Sequence, residues 1–141
     1  MVDPSLILRK LSELQEFTAQ LREYQTITAA QYAADWKTQR IVDRTLQMAI
    51  EVCLDIAGRI ISDKRYRIPT SYADTFRVLF ENRVIDEHLL SALENMARCR
   101  NFIVHHYDKI DAEIIVGFLK KNLPDFEAFK IAAMSVLDRG K

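Results

Sequence analysis

Apolar side chains recur at three- and four-residue intervals along most of this chain, the spacing of one face of an α-helix. Ile7, Leu11, Leu14 and Leu21 form the first stripe, widened by Leu8 and Phe17. Ahead of it, Asp3-Pro4 places an N-cap acceptor before a proline at the first helical position. A weaker stretch, Gln25 to Ala34, holds the turn. The second helix is long, from about Ala29 or Asp35 to about Asp63, with Ile41, Val42, Leu46, Ala49, Cys53, Ile56, Ala57 and Ile60 on one broad face. Arg65 to Thr70 reads as a loop closed by Ile68-Pro69. Ser71, with Asp74 three residues on, approximates a capping box and opens a short helix through Phe76, Leu79 and Phe80. Asp86 caps a fourth helix carrying Leu89, Leu90, Leu93, Met96, Ala97 and Phe102. After a break at Asp108 to Asp111, Asp111 caps a last helix through Ile114, Ile115, Phe118, Leu119, Phe126, Phe129, Ala133 and Leu137, bent near Pro124. The pattern predicts an all-α fold, a five-helix up-and-down bundle forming one domain over residues 1–141.

Composition sharpens this picture in three places. Three glycines and three prolines in 141 residues leave too little punctuation for many strands and hairpins. The 20 basic and 20 acidic side chains cancel, so a polyanion has to be met by a local patch rather than by the field of the whole molecule. No apolar run reaches the ~18 residues of a membrane span, and Met1-Val2-Asp3-Pro4 lacks the layout of a signal peptide, so no membrane association and a cytoplasmic address are expected. Cys53 and Cys99 each sit inside a helical pattern and read as small buried hydrophobes, not as a disulfide.

The candidate chemistry is concentrated in Arg100-Asn101-Phe102-Ile103-Val104-His105-His106-Tyr107. A permanent cation, an imidazole that titrates near neutral pH and a phenol fall within eight residues. At 100° per residue, Tyr107 lies about 20° from Arg100 and His105 about 40° from Asn101, whereas Arg100 and His105 are about 140° apart. A single straight helix therefore does not aim both at one phosphate. Fraying around Val104 to His106, or pairing of two copies across a twofold axis, would bring them together. The bland alternative is that Arg100 pairs with an acid on a neighbouring helix, His105 caps carbonyls at a helix end and Tyr107 packs a rim. Glu51 and Asp55 are mid-helix acids that either face Arg100 or lie on the wet side. Lys64-Arg65-Tyr66-Arg67, with Arg59 upstream, has the composition of a single-strand-binding edge or of a solvated loop. Arg98 and His106 flank the main motif and either extend its positive field or stay on the surface. The pair His105-His106 has no companion ligands at metal spacing, and the chain has no glycine-rich phosphate loop, so neither a metal nor a cofactor is expected.

The 100–107 motif near the end of the penultimate helix, in a helical layout of about this length, resembles the HepT toxins of the HEPN superfamily. The segment Val52-Cys53-Leu54-Asp55-Ile56-Ala57 within Leu46 to Ile61, and the Ile68-Pro69…Tyr72…Phe76 segment, are similar to the same family pattern. The resemblance implies a HEPN-like homodimer with the motif in a groove at the dimer interface. It also implies metal-independent RNA cleavage, with Arg100 stabilising charge on the phosphate, His105 acting as acid or base and Asn101 orienting the site. Tyr107 would be the acceptor for AMP transferred by a cognate minimal nucleotidyltransferase antitoxin. The added negative charge in the groove would then inactivate the toxin. Lys64, Arg65, Arg67, Arg98 and His106 are further candidate RNA contacts. The rival expectation is a non-catalytic HEPN-type module that binds nucleotide or RNA beside a nucleotidyltransferase.

Overall fold

A computed structural model describes residues 4–105 and 111–139 of the chain. Helix α1 spans Pro4–Arg22, α2 Ala29–Ala34, α3 Trp36–Lys64, α4 Tyr72–Glu81, α5 Glu87–His105, α6 Ala112–Lys121 and α7 Leu123–Arg139. The all-α class holds, but seven helices stand among the described residues where five were expected. Two single-residue breaks account for the difference. Asp35 adopts an extended conformation, closing α2 and capping α3 by accepting from the Lys37 N–H. The short α2 is held by a reciprocal box: the Gln31 N–H donates to Thr28 Oγ1 at 3.0 Å and the Thr28 N–H to Gln31 Oε1 at 2.9 Å. Asn122 splits the expected bent C-terminal helix. Its N–H closes α6 on the Phe118 carbonyl at 2.8 Å, and its side-chain amide donates to Asp125 Oδ2 at 3.0 Å in the first turn of α7. Pro124 thus falls in a first turn, where a missing N–H costs nothing.

The remaining caps follow the sequence. Ser71 accepts from the Asp74 N–H at 3.0 Å, Asp86 from the Leu89 N–H at 2.8 Å and Asp111 from the Glu113 N–H at 2.9 Å. Asp74 does not close a reciprocal box on Ser71; its carboxylate turns back to the preceding loop instead. Helix α3, about 43 Å long at 1.5 Å per residue, is the central element and touches α1, α2, α4, α5 and α7. Val42, Leu46, Ala49, Ile50, Cys53, Ile56, Ala57 and Ile60 on it are almost wholly enclosed. Thr18 lies on the buried face of α1, and its hydroxyl is satisfied by donating to the Leu14 carbonyl at 2.7 Å. The α4 ring of Phe76 meets Phe129 of α7 edge to face at 6.1 Å, tying the first short helix after α3 to the last long one. Truncating Phe76 would leave a cavity costing about 3–5 kcal/mol. Helix α3 ends where Arg65 turns left-handed, with φ 58°, and returns its N–H to the Ile61 and Ser62 carbonyls. That reversal brings the next loop back against α4 and α5, and so builds one wall of the groove described next.

Candidate functional site

An open groove of about 700 Å³ lies between the C-terminal part of α5 and the start of α4. Arg100, Asn101, Val104 and His105 form one side; Pro69, Thr70, Ser71, Tyr72 and Thr75 form the other. Helix α5 is continuous through His105, so Arg100 and His105 border the same groove without fraying of the helix up to that residue. Both residues line the groove despite the offset of about 140° on the helix wheel. Asn101 and His105 are exposed. His106 and Tyr107 lie outside the described residues, and with them the expected position of the AMP acceptor.

Three neighbours hold the Arg100 side chain. Its Nε and Nη2 each reach Glu51 Oε1 at 3.2 Å, its Nη1 donates to Asn101 Oδ1 at 3.3 Å, and its guanidinium carbon stands 4.8 Å from the centre of the Tyr72 ring. The same Glu51 oxygen accepts from Gln47 Nε2 at 3.0 Å. Glu51 faces the motif, whereas Asp55 lies on the wet side and pairs with Lys10 at 3.3 Å. The bonds to Glu51 and Asn101 are long for a guanidinium donor, and the side chain keeps 16% of its surface open. The guanidinium is therefore oriented but not saturated. Part of the bland reading is thus correct, since Arg100 does pair with an acid on a neighbouring helix, and that pairing aims it along the groove wall.

The other basic candidates are dispersed. Arg67 is spent within the protein. It holds Asp74 through Nη1 at 2.7 Å and Nη2 at 2.8 Å, and Glu81 through Nε at 2.7 Å and Nη2 at 3.0 Å. These bonds hold the Asp74 carboxyl well below the usual carboxylate range, with the Thr70 N–H adding to the effect, and lower that of Glu81 as well. With four short bonds to the oxygens of two carboxylates, Arg67 is a lock between the loop and α4. Lys64 and Arg65 are exposed at the end of α3. Arg98 donates to Asn95 and borders a separate recess between α5 and α6, about 200° around the helix from Arg100. The two cysteines are buried free thiols; burial pushes Cys53 up, and pushes Cys99 up to about 12 with Asp43 adding to it. Among the described residues no group of three or more His, Cys, Asp or Glu is placed to hold a metal ion, and no helix is long and apolar enough to cross a membrane.

Sequence reasoning missed Tyr72 as a site residue, and Gln47 and Thr75 altogether. Tyr72 entered only within a longer pattern, because nothing in its neighbours says that an arginine 28 positions later will rest on its ring.

Residues 7–133 match the family described as ribonuclease HepT-like. The mRNA nuclease HepT of Shewanella oneidensis is 35% identical over 100 residues, covering 71% of this chain and 75% of that protein. The tRNA nuclease HepT of Aphanizomenon flos-aquae is 24% identical, with 78% and 75% covered. Among solved structures, a tri-AMPylated Shewanella oneidensis HEPN toxin in complex with its MNT antitoxin superimposes with a TM-score of 0.85 at 28% identity, covering 94% of this chain and 99% of that one. A toxin–antitoxin with AMP-PNP superimposes at 0.86, with 27% identity and 93% and 98% covered. With the family match spanning all but the ends of the chain, and an arginine and a histidine lining one groove, the chain belongs to the ribonuclease HepT-like family.

Proposed function

We propose that this chain is the toxin of a toxin–antitoxin pair, a cytoplasmic endoribonuclease that cuts RNA without a metal ion. The observation that carries this reading is the groove in which an oriented, unsaturated Arg100 shares the lining with an exposed His105. In this reading the ribose 2′-oxygen attacks the adjacent phosphorus and the bond to the 5′-oxygen breaks. His105 takes the 2′-hydroxyl proton or supplies one to the leaving oxygen. Arg100 faces the charge that builds on the non-bridging oxygens, and its Asn101 bond is the one a phosphate would replace. Glu51 and Tyr72 keep the guanidinium in place, so little reorganisation is needed when charge develops.

The working unit is a homodimer in which the α5 ends of both copies face one channel. Its partner is a minimal nucleotidyltransferase antitoxin that transfers AMP to Tyr107, placing negative charge where the RNA backbone must lie. The mRNA nuclease relative and the AMPylated toxin bound to its MNT antitoxin support this assignment.

The test is cleavage of total RNA by purified protein. Activity should persist in chelator and fall about a hundredfold or more in both Arg100→Ala and His105→Ala, with dimer mass and melting temperature nearly unchanged. Full activity of His105→Ala would mean that the fold binds RNA without cutting it. Coexpression with the cognate nucleotidyltransferase should add AMP-sized mass increments to the peptide carrying Tyr107. An unmodified peptide in a neutralised complex would mean control by masking instead.

A further inference from the structure

A second cavity, of about 750 Å³, opens along the first half of α3, bordered by Trp36, Arg40, Asp43, Arg44, Gln47 and by Ile103 of α5. Trp36, Arg40, Arg44, Gln47 and Glu51 follow one another at steps of four, four, three and four, so they form a single stripe on the helix. The stripe ends beside Arg100. Gln47 borders the cavity and donates to the Glu51 oxygen that also holds Arg100.

The composition of the stripe is that of a single-strand platform. Trp36 is 59% exposed although Arg40 lies 4.9 Å and Lys37 5.8 Å from its ring, so a large indole surface stays in water with cations already beside it. Arg40 and Arg44 are exposed, and none of the ion pairs among the described residues involves them or Lys37. The acids near the stripe are each engaged within the protein: Asp35 caps the helix start, Glu51 holds Arg100, and the half-buried Asp43 receives the hydroxyl of the enclosed Tyr32. Trp36 to Gln47 covers about 16 Å of helix axis at 1.5 Å per residue. At about 3.4 Å per stacked nucleotide, that leaves room for roughly five.

We infer that Trp36, Arg40 and Arg44 form an RNA track that receives single-stranded substrate next to the Arg100–His105 groove, with a base on the indole and phosphates on the two arginines. The inference rests on the ribonuclease reading and adds a binding site to it. It also replaces the 64–67 loop as the main basic surface, since Arg67 there is consumed by Asp74 and Glu81.

Trp36 is the one tryptophan of the chain, so the intact protein carries its own probe. An unstructured RNA 12-mer, added to the His105→Ala protein to prevent cutting, should quench tryptophan emission as anisotropy of the labelled RNA rises. Arg40→Ser combined with Arg44→Ser should weaken binding about tenfold or more and flatten the log–log salt dependence by about 1.4, at about 0.7 for each phosphate no longer neutralised. Trp36→Ala should weaken binding while Trp36→Phe restores most of it. In proteins with His105 intact, cleavage of a dinucleotide, too short to reach the track, should be the same with and without the track substitutions. Unchanged emission on a protein that anisotropy shows to be saturated would overturn the inference. So would an unchanged affinity and salt slope in the double variant, or a shift from dimer to monomer mass, which would assign this face to a second copy. Failure of the unaltered protein to cut any RNA would strike the ribonuclease reading, while quench and salt slope, read on binding alone, would still decide this one.

Discussion

Two arginines flank α4 and have opposite fates. Arg67 meets two carboxylates, both bidentate at 2.7–3.0 Å, and its charge is balanced within the protein. Arg100 meets one carboxylate oxygen at 3.2 Å, one amide oxygen at 3.3 Å and the face of a tyrosine, beside an open groove. The residue type is the same; the number and quality of acceptors decide the role. A guanidinium surrounded by enough anionic oxygens is a structural clamp. One held by a single carboxylate oxygen and a neutral amide, through longer bonds, keeps charge and donors available to an incoming phosphate. The comparison also explains why a basic run in the sequence, such as 64–67, is a poor guide to a polyanion site until its internal partners are known.

The largest expected effect separates the two directly. Arg100→Ala should lower RNA cleavage by about a hundredfold to a thousandfold, the range for loss of a group that meets developing charge. Arg67→Ala should change the cleavage rate by less than about threefold and instead lower the melting temperature. Initial rates and thermal melts on the same preparations would show it, and a rate collapse in Arg67→Ala would erase the distinction. Arg100→Lys sharpens it further. A lysine keeps the charge but not the planar fork, so it should recover only a small part of the activity.

Next in size is the support beneath Arg100. Glu51→Gln keeps an acceptor of the same shape and removes the charge that holds the guanidinium. Cleavage should drop about tenfold, mostly in kcat, because the group is misaligned and not removed. A change in KM alone would mean that Glu51 acts on substrate binding.

Acid tests the Arg67 clamp directly. Asp74 and Glu81 titrate below their ordinary values of 3.8 and 4.5 because Arg67 holds them. A depressed folded pKa contributes stability that is complete above the unfolded value and is lost as pH falls through the folded one. From about pH 4.5 downward, the melting temperature of the native protein should therefore fall more steeply than that of Arg67→Ala. Asp43 runs the other way. Burial raises its pKa, so ionising it costs stability as pH rises through the folded value, and Asp43→Asn should flatten that side of the curve while preserving an acceptor for Tyr32. Parallel curves for native protein and Arg67→Ala would remove the clamp from the account.

The smallest effect belongs to Tyr72. Tyr72→Leu removes a cation–π interaction of about 0.5–1 kcal/mol and should lower cleavage roughly twofold to fivefold, whereas Tyr72→Phe, which keeps the ring face, should be near neutral. Equal losses in both variants would point to the hydroxyl and not the ring.

Helix positions, most caps and the concentration of chemistry at 100–107 are local properties, and the sequence by itself determined them. The three- and four-residue apolar rhythm of Ile7 to Leu21 and Val42 to Ile60 has one good solution, and Ser71, Asp86 and Asp111 cap through bonds to residues two or three positions on. The family likeness was legible for the same reason, since it rests on short patterns. Helix count was less so, because a single extended residue at Asp35 or a turn at Asn122 leaves the apolar rhythm almost undisturbed. What only the tertiary structure decided is which charges remain available. Glu51 and Arg100 are 49 positions apart, Arg67 and Glu81 14, and the stripe on α3 acquires a meaning only because α5 lays Arg100 at its end. Those partnerships depend on how long helices pack side by side, and electrostatic roles are set by near neighbours in space, where a distance of 2.7 Å or 3.2 Å separates a saturated clamp from a group that can still bind.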